Sequence, residues 1–506
     1  MLFFNGLASS NIKEKPPLTT KAVASVTATF NPSNDSGKTG KFIIRITNPV
    51  SAPITFILNF GGNAMSGLDY KPLPHTATIL PSKTFVEIPV ILFPNTSKNN
   101  KTLELTISNS NHSDAIIGTP HHASITNLKA AAPNFTLKPK EASFFMVNPN
   151  ATHETIALFY NLKTIAQTGF IVGQQDAFTH FHKKTNGEAD IKSTTGHDPG
   201  LSGLDFMFIT DDQNIAKDGN WFYNQEKEII KNAQDGYNRG IVNMFSWHFR
   251  EPFEGQYFFA KQMSRYQKQN ALVSILPGGI NHDYYKQKLQ KIARITKGLI
   301  GDDGKRVPII FRPFHEFDSD WFWWGRNYCT PEQYKALFRF TVKYLRDDMA
   351  VNNMLFAFSP DNRFKSEEDY LERYPGDEYV DILGLDDYKN FKKNRPSGSK
   401  KANKKLQIIS KLAKERVKVA ALTETGHPIE QGRSRLKSNL YTKLFYEALT
   451  KKNIEIAFMM FWSNTEKTYY TPPIGTSEAD DFIQFTRQKN VLLLDKMPNM
   501  YTLPNW

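Results

Sequence analysis

Cysteine is nearly absent: Cys329 is the only one in 506 residues. A single thiol excludes an internal disulfide framework and any zinc site built from cysteines. It leaves the compartment open, because exported proteins can also lack cysteine. No apolar run approaches the roughly 18 residues needed to cross a bilayer. The briefly apolar Met1–Ser10 has no positive leader before it and makes a poor signal peptide. Asn11–Thr20, with Pro16 and Pro17, reads as a disordered tail, so residues 1–21 are set apart from any fold. Acidic residues are in deficit, 50 against 63 Lys and Arg, for a formal charge of +13. The densest basic stretch, Lys389–Lys405, lacks the interleaved stacking aromatics of a single-strand binder. Its Asn390, Pro396, Gly398 and Asn403 read as a loop leading into a helix. A lysine-rich solvated exterior accounts for the charge, and no nucleic-acid partner is expected.

Aromatic residues are plentiful, with 38 Phe, 20 Tyr and 7 Trp, and 40% of the chain is hydrophobic. Such a chain has the material for a large core, and its length suggests two or three domains. The texture changes near residue 130. Before it, short alternating runs at Val23–Phe30, Lys41–Thr47, Ile54–Phe60, Thr76–Leu80, Thr84–Leu92, Leu103–Ser108 and Ala123–Asn127 are separated by turn clusters such as Asn31–Gly37. Seven short strands without a helical period predict a β-sandwich over residues 22–128. All six Asn-X-Ser/Thr sequons, at Asn34, Asn95, Asn100, Asn111, Asn134 and Asn150, fall before residue 153. They bear on glycosylation only in an exported eukaryotic chain.

The sandwich segment resembles a Calx-beta domain. The likeness rests on Gly67-Leu68-Asp69-Tyr70 with Pro72-Leu73, on Thr84–Val90, on Leu103–Ser108 and on Ala115-Ile116-Ile117-Gly118. Domains of that kind often bind calcium through an acidic loop before the Leu103 strand. Here the loop reads Asn95-Thr96-Ser97-Lys98-Asn99-Asn100-Lys101, without a carboxylate, and calcium wants several anionic oxygens. The segment is therefore expected to act as a spacer or a prop beside the carbohydrate, with a true binding module as the alternative.

Residues 129–150, with Pro133, Pro139 and Pro149, read as a linker. From 151 to 506 the pattern alternates. Apolar runs at Phe170–Gly173, Leu204–Ile209, Ile241–Phe245, Ile309–Phe314, Met354–Phe358, Val380–Leu385, Val417–Leu422 and Ile456–Trp462 are spaced by helix-like stretches such as Tyr284–Leu299, Pro331–Leu345 and Asn403–Glu415. Eight such repeats predict an α/β fold, a (β/α)8 barrel whose chemistry sits at the C-terminal strand ends.

The fourth run continues into Arg312-Pro313-Phe314-His315-Glu316-Phe317-Asp318-Ser319-Asp320-Trp321-Phe322-Trp323-Trp324-Gly325. Three of the seven tryptophans lie within four residues. Flat indoles in a polar loop suit the apolar faces of sugar rings, so this cluster is read as facing substrate. A zinc-protease pattern would need a second His at position 319, which is Ser319. No metal and no organic cofactor are implied. The seventh run ends in Thr423-Glu424-Thr425-Gly426. Glu316 and Glu424 thus end the fourth and seventh strands, facing one another across the barrel mouth. Retaining hydrolysis of a glycosidic bond uses two carboxyls about 5 Å apart, one protonated and one ionised.

The barrel segment resembles glycoside hydrolase family 26, whose best-known members are β-1,4-mannanases. The likeness rests on Gly173-Gln174-Gln175-Asp176, Ser246-Trp247-His248-Phe249, the Arg312–Gly325 motif, Phe358-Ser359-Pro360-Asp361, Gly384-Leu385-Asp386-Asp387-Tyr388, Thr423–Gly426, Phe461-Trp462 and stretches near Asp481 and Met497–Tyr501. The resemblance implies Glu316 as general acid/base and Glu424 as nucleophile. It implies His248 and His315 near the cleaved sugar, Tyr388 as a donor to the nucleophile, Asp386 near the same ring, and Trp321 and Trp462 as stacking platforms. Trp247, Trp323 and Trp324 are further candidates for sugar contact. Family members often carry His at the position of Gln174 and an arginine at that of Ser463. The implied activity is endo-β-1,4-mannan hydrolysis by a monomer. Within the family the alternatives are mannobiose release from chain ends, β-1,3-1,4-glucan cleavage and β-1,3-xylan cleavage. The non-enzymatic alternative is a carbohydrate-binding or adhesive protein on a degenerate barrel. Mannan lies outside cells, so export is expected.

Overall fold

The computed structural model describes residues 21–30, 39–64, 66, 69–92, 101–113, 115–128, 137–182, 188–392, 394–430, 436 and 439–504. They fall into two compact units that divide between Ala132 and Pro133.

The first unit contains β1 (Ala22–Phe30), β2 (Thr39–Ile46), β3 (Ile54–Gly62), β4 (Thr76–Ile79), β5 (Phe85–Ile91), β6 (Lys101–Ser110), β7 (Ala115–Ile117) and β8 (His122–Leu128). They form two four-stranded sheets, ordered β5-β2-β1-β7 and β4-β3-β6-β8. Side chains alternate across a strand, so every second residue faces inward. Phe42, Ile44 and Ile46 of β2, Ile54, Phe56 and Leu58 of β3, and Leu103, Leu105 and Ile107 of β6 follow that rule and share one core. β7 was not foreseen as a strand. Its three residues pair in parallel with β1, at Ala22↔Ala115, too short a run to leave an alternation in the sequence. The tail at 1–20, the carboxylate-free loop at 95–100 and the sequons at Asn34, Asn95, Asn100 and Asn134 lie outside the described residues. Beside that loop, Lys101 Nζ bonds both carboxylate oxygens of Asp69, at 2.8 and 2.6 Å.

The second unit is a closed parallel barrel. Its strands are β9 (Phe170–Gln175), β10 (Leu201–Asp205), β11 (Val242–Trp247), β12 (Ile309–Pro313), β13 (Met354–Phe358), β14 (Ile382–Asp387), β15 (Val419–Thr425) and β16 (Phe458–Phe461). Each pairs in parallel with the next. β9 closes the ring by pairing with both β10, at Gly173↔Leu201, and β16, at Ile171↔Phe458. Every residue of these strands is buried, which explains runs that read as continuous rather than alternating. Helices cover the outside, and their ends are sequence-encoded. Pro331–Lys343 opens on a capping box, in which Thr330 and Gln333 exchange side-chain-to-backbone bonds, with Pro331 in the first turn. Pro396–Arg416 begins at a proline seven residues ahead of the expected Asn403.

Three expectations are corrected. The run at 204–209 is not one strand: β10 ends at Asp205 and Met207–Thr210 is a helical turn. A buried strand and a buried helical turn share one apolar run here, which composition cannot divide. The strands expected at Val380–Leu385 and Val417–Leu422 run on to Asp387 and Thr425, so that their polar ends remain inside the hydrogen-bonded ring. The linker expected at 129–150 is packed structure from Leu137 onward. Pro139–Phe145 forms a 3-10 helix. Phe145 O accepts from Lys418 Nζ at 2.8 Å, and Val147 N donates to Asp381 Oδ1 at 2.7 Å. Both partners lie just before strands, so this segment covers the N-terminal end of the barrel.

Candidate active site

The C-terminal ends of β10, β11, β12, β14, β15 and β16 deliver the polar residues of the mouth. Arg312 is the hub. It lies on β12 with no exposed surface, and a buried guanidinium must meet anions. It bonds Asp386 Oδ2 through Nη1 at 2.6 Å and Glu424 through Nη2. The other Glu424 oxygen accepts from the Tyr388 hydroxyl at 2.7 Å. Burial, then the charge of Glu424, holds the Tyr388 phenol far above its usual range, so it remains a donor. Asp386 is held from the other side by Ser359 Oγ at 2.7 Å and Thr423 Oγ1 at 2.8 Å. Glu424 therefore carries donors on both oxygens, as an ionised carboxylate does.

Glu316 stands in a different environment. It is only 8% exposed, and its Oε2 accepts from Trp321 Nε1 at 2.6 Å. Burial, then the charges of Glu424, Asp386 and Asp361, pushes its carboxyl well above the usual range. Its backbone is left-handed, with φ 55°, as is that of Phe314 at 51°. Side chains other than glycine adopt that region at a cost of about 1–3 kcal/mol each. Two bonds fix the turn: Glu316 N to Ser359 O at 2.8 Å and the Tyr334 hydroxyl to Phe314 O at 3.1 Å. The arrangement can keep one carboxyl protonated and the other ionised a short way apart in a buried mouth.

Two histidines flank the pair. His248 Nδ1 lies 2.5 Å from Asp205 Oδ2. Burial opposes its charge, but Asp205 outweighs burial and its pKa is raised. His315 packs edge-on against His248, with ring centroids 4.8 Å apart. Burial, then the Arg312 and His248 charges, keeps it well below its usual range and hence neutral. The Trp462 ring lies 6.2 Å from that of His248. Glu316, Glu424, His248, His315, Tyr388, Asp386, Trp321 and Trp462 thus converge on one mouth.

Residues 147–466 match the model of glycosyl hydrolase family 26. The chain belongs to this family. A mannan endo-1,4-beta-mannosidase of Bifidobacterium adolescentis is 31% identical over 382 residues, a match covering 72% of this chain and 37% of that protein. The chain thus spans a little over a third of that relative's length. A mannan endo-1,4-beta-mannosidase of Bacillus subtilis is 26% identical over 286 residues, covering 53% of this chain and 73% of that one. Among solved structures, GH26C from a Muricauda species shares 54% identity with a TM-score of 0.72, covering 73% of this chain and 99% of that one. A GH26 beta-mannanase from Bacteroides ovatus shares 31% identity with a TM-score of 0.62, covering 70% and 99%.

In this family 26 barrel the tryptophan cluster divides, and the reading of Trp247, Trp323 and Trp324 as sugar-facing is corrected. All three have no exposed surface. Their indole N–H groups donate to Thr210 Oγ1, Phe249 O and His315 O, each at 2.8 Å. Trp324 instead backs Phe322, with ring centroids 4.5 Å apart, and Phe322 lies 5.1 Å from His315 and 5.5 Å from His248. The loop is polar in composition but folds its large rings under itself. Trp321 and Trp462 keep part of their surface open.

Four residues with no role assigned from sequence complete the site: Arg312, Asp205, Ser359 and Thr423. Arg312 had a signal, being a cation inside the run Ile309-Ile310-Phe311. Asp205 was hidden by the misplaced strand, which put it near a strand start when it lies at the C-terminal end of β10. Ser359 and Thr423 are small polar residues whose partner, Asp386, becomes visible only when the ring closes. Among the described residues no group of His, Cys, Asp and Glu could hold a metal ion.

Proposed function

We propose that the barrel is a retaining endo-β-1,4-mannanase acting on β-mannan, glucomannan and galactomannan. Glu424 attacks the anomeric carbon while Glu316 gives its proton to the departing oxygen. A glycosyl-enzyme forms and a sugar leaves. Glu316, now anionic, takes a proton from water, and that water displaces Glu424 with overall retention. Arg312 and Tyr388 keep the nucleophile oriented, each bonding one of its oxygens. Trp321 holds the acid, and Trp462 offers a face to the sugar. His248 and His315 line the ring that is cleaved. The chemistry needs no metal and no organic cofactor.

The observation that carries this reading is the contrast between the two carboxyls. Glu316 is buried beside like charges with an indole as its one side-chain donor, whereas Glu424 is held by a guanidinium and a phenol. Environments that split two carboxyls are the requirement of acid/nucleophile catalysis. The names of relatives support mannan as the polymer. The protein is read as acting outside the cell, because mannan lies there. The first unit serves as a Calx-beta-like spacer.

Reducing-sugar release from mannan, set against Glu424→Ala, tests the proposal. Activity in the parent and near-complete loss in the variant are expected. A fully active variant would sink the nucleophile assignment. Cleavage of mixed-linkage glucan in place of mannan would sink the substrate while sparing the mechanism. A broad early product ladder marks endo action, whereas mannobiose alone marks release from chain ends. Proton NMR of the first product should find the β-anomer.

A further inference from the structure

His180 stands at the rim of the mouth, outside the constellation above. It ends the turn after β9, and the turn begins at Asp176, whose φ of 53° is left-handed. That conformation is costly for a residue with a side chain and clusters at functional sites. It is held here by Asp176 N to Gly203 O at 2.9 Å, and by the Thr179 and His180 amides to Asp176 O at 3.0 Å each. The turn brings the Asp176 carboxylate back onto the imidazole. His180 Nδ1 lies 3.2 Å from Asp176 Oδ2 and 3.2 Å from Ser463 Oγ. Asp176 is in turn fixed by Gln175 Nε2 at 3.0 Å. One ring nitrogen is therefore anchored by two elements of the barrel, while the side chain stays 53% exposed. Its Nε2 has no partner among the described residues.

Ser463 directly follows Trp462, so His180 is bonded to the residue next in the chain to the Trp462 platform. β9 and β16 are neighbours, and both stand across the ring from β12, which carries Glu316. The acid serves the departing sugar, so the side across from it receives the sugar that the nucleophile captures. An imidazole with one nitrogen tied down and the other free is suited to hydrogen-bonding a sugar hydroxyl. The hydrogen bond that the imidazole donates to Asp176 also raises its pKa against some burial, which favours a charged donor.

We infer that His180, anchored by Asp176 and Ser463, is a sugar-binding residue on the glycone side of the cleft, gripping the unit beyond the one captured by Glu424. This rests on the mannanase reading and names a residue that sets how far the chain is held. The test is hydrolysis of mannotetraose labelled with 18O at its reducing end, by the parent, H180A and H180Q. H180A is expected to lose about tenfold in kcat/KM, the worth of one charge-assisted hydrogen bond, with KM carrying most of the loss. The cleavage frame should move so that fewer sugars occupy the glycone side. H180Q, which keeps an amide donor, should recover part of the affinity. An active parent whose H180A variant matches it in KM and frame overturns this inference alone, as does a loss confined to kcat. A parent inactive on mannotetraose and mannan overturns the mannanase reading, and this inference with it.

Discussion

Replacing Arg312 by Met is the sharpest perturbation available. Its guanidinium touches two carboxylates, Asp386 and Glu424, and all three side chains are 0–6% exposed. Removing one partner of a buried ion pair leaves an uncompensated charge and costs about 3–5 kcal/mol. Here two carboxylates lose their cation together, so R312M should lose at least that much stability. The variant escapes part of the penalty by taking up a proton, and a protonated Glu424 cannot attack. Loss of one charged hydrogen bond at the proposed nucleophile, worth about 1.5–3 kcal/mol, lowers kcat/KM by roughly 10- to 100-fold. Denaturant unfolding, read at the barrel's transition, measures the stability term. The double variant R312M/D386N removes one of the two stranded charges and should regain about 1–2 kcal/mol over R312M. Equal midpoints for the single and double variants would refute the claim that the triad is an electrostatic unit.

Four further outcomes follow from the same geometry. The acid form of Glu316 exists below its raised pKa, so kcat/KM should fall as pH rises through that pKa. The Trp321 bond favours the charged form, hence W321F should move this basic limb upward by about half to one pH unit, and an unmoved limb would deny the bond. Asp361 raises the same pKa through its charge, so D361N should move the limb the other way in the same titration. Y388F loses the phenol on Glu424 and should cost about 10- to 100-fold in kcat/KM, with little change in unfolding midpoint. W324A should destabilise the barrel by about 3–5 kcal/mol, whereas W462A should raise KM for mannan and spare stability. The reverse pattern would show that the two tryptophans had been assigned to the wrong places.

The sequence carried the fold well where burial is two-sided and poorly where it changes character within one run. All eight barrel strands lie within or beside their apolar runs, because a strand wrapped by helices has no polar face to interrupt it. Leu204–Ile209 misled for the same reason: Asp205 is the one polar residue in a run that holds both β10 and the turn after it. The tryptophan loop misled differently. Asp318, Ser319 and Asp320 marked it as exposed, yet Ser319 Oγ bonds Asp361 at 3.1 Å and the Asp318 carboxylate accepts from the Asp361 and Arg363 amides at 2.6 and 3.0 Å. Polar residues that satisfy one another can roof a core, so composition alone does not distinguish a roof from a solvated loop.

The two carboxyls were legible as strand-end residues, but their division of labour follows from charge counting that needs the closed barrel. Glu424 and Arg312 are 112 positions apart, and Asp386 and Arg312 are 74 apart. Once the ring brings them together, three buried carboxyls, Glu316, Asp386 and Glu424, share the one guanidinium that bonds two of them, while Asp205 is matched separately by His248. Full ionisation would leave two uncompensated negative charges in a site with little water to screen them. At least one carboxyl must keep its proton. Burial raises the Asp386 carboxyl too, but Asp386 has a guanidinium and two hydroxyl donors to oppose it, and Glu424 has a guanidinium and a phenol. Glu316 has an indole N–H and no cation, so the proton rests there at least cost. On the proposed mechanism the acid is thus selected by what Arg312 does not reach.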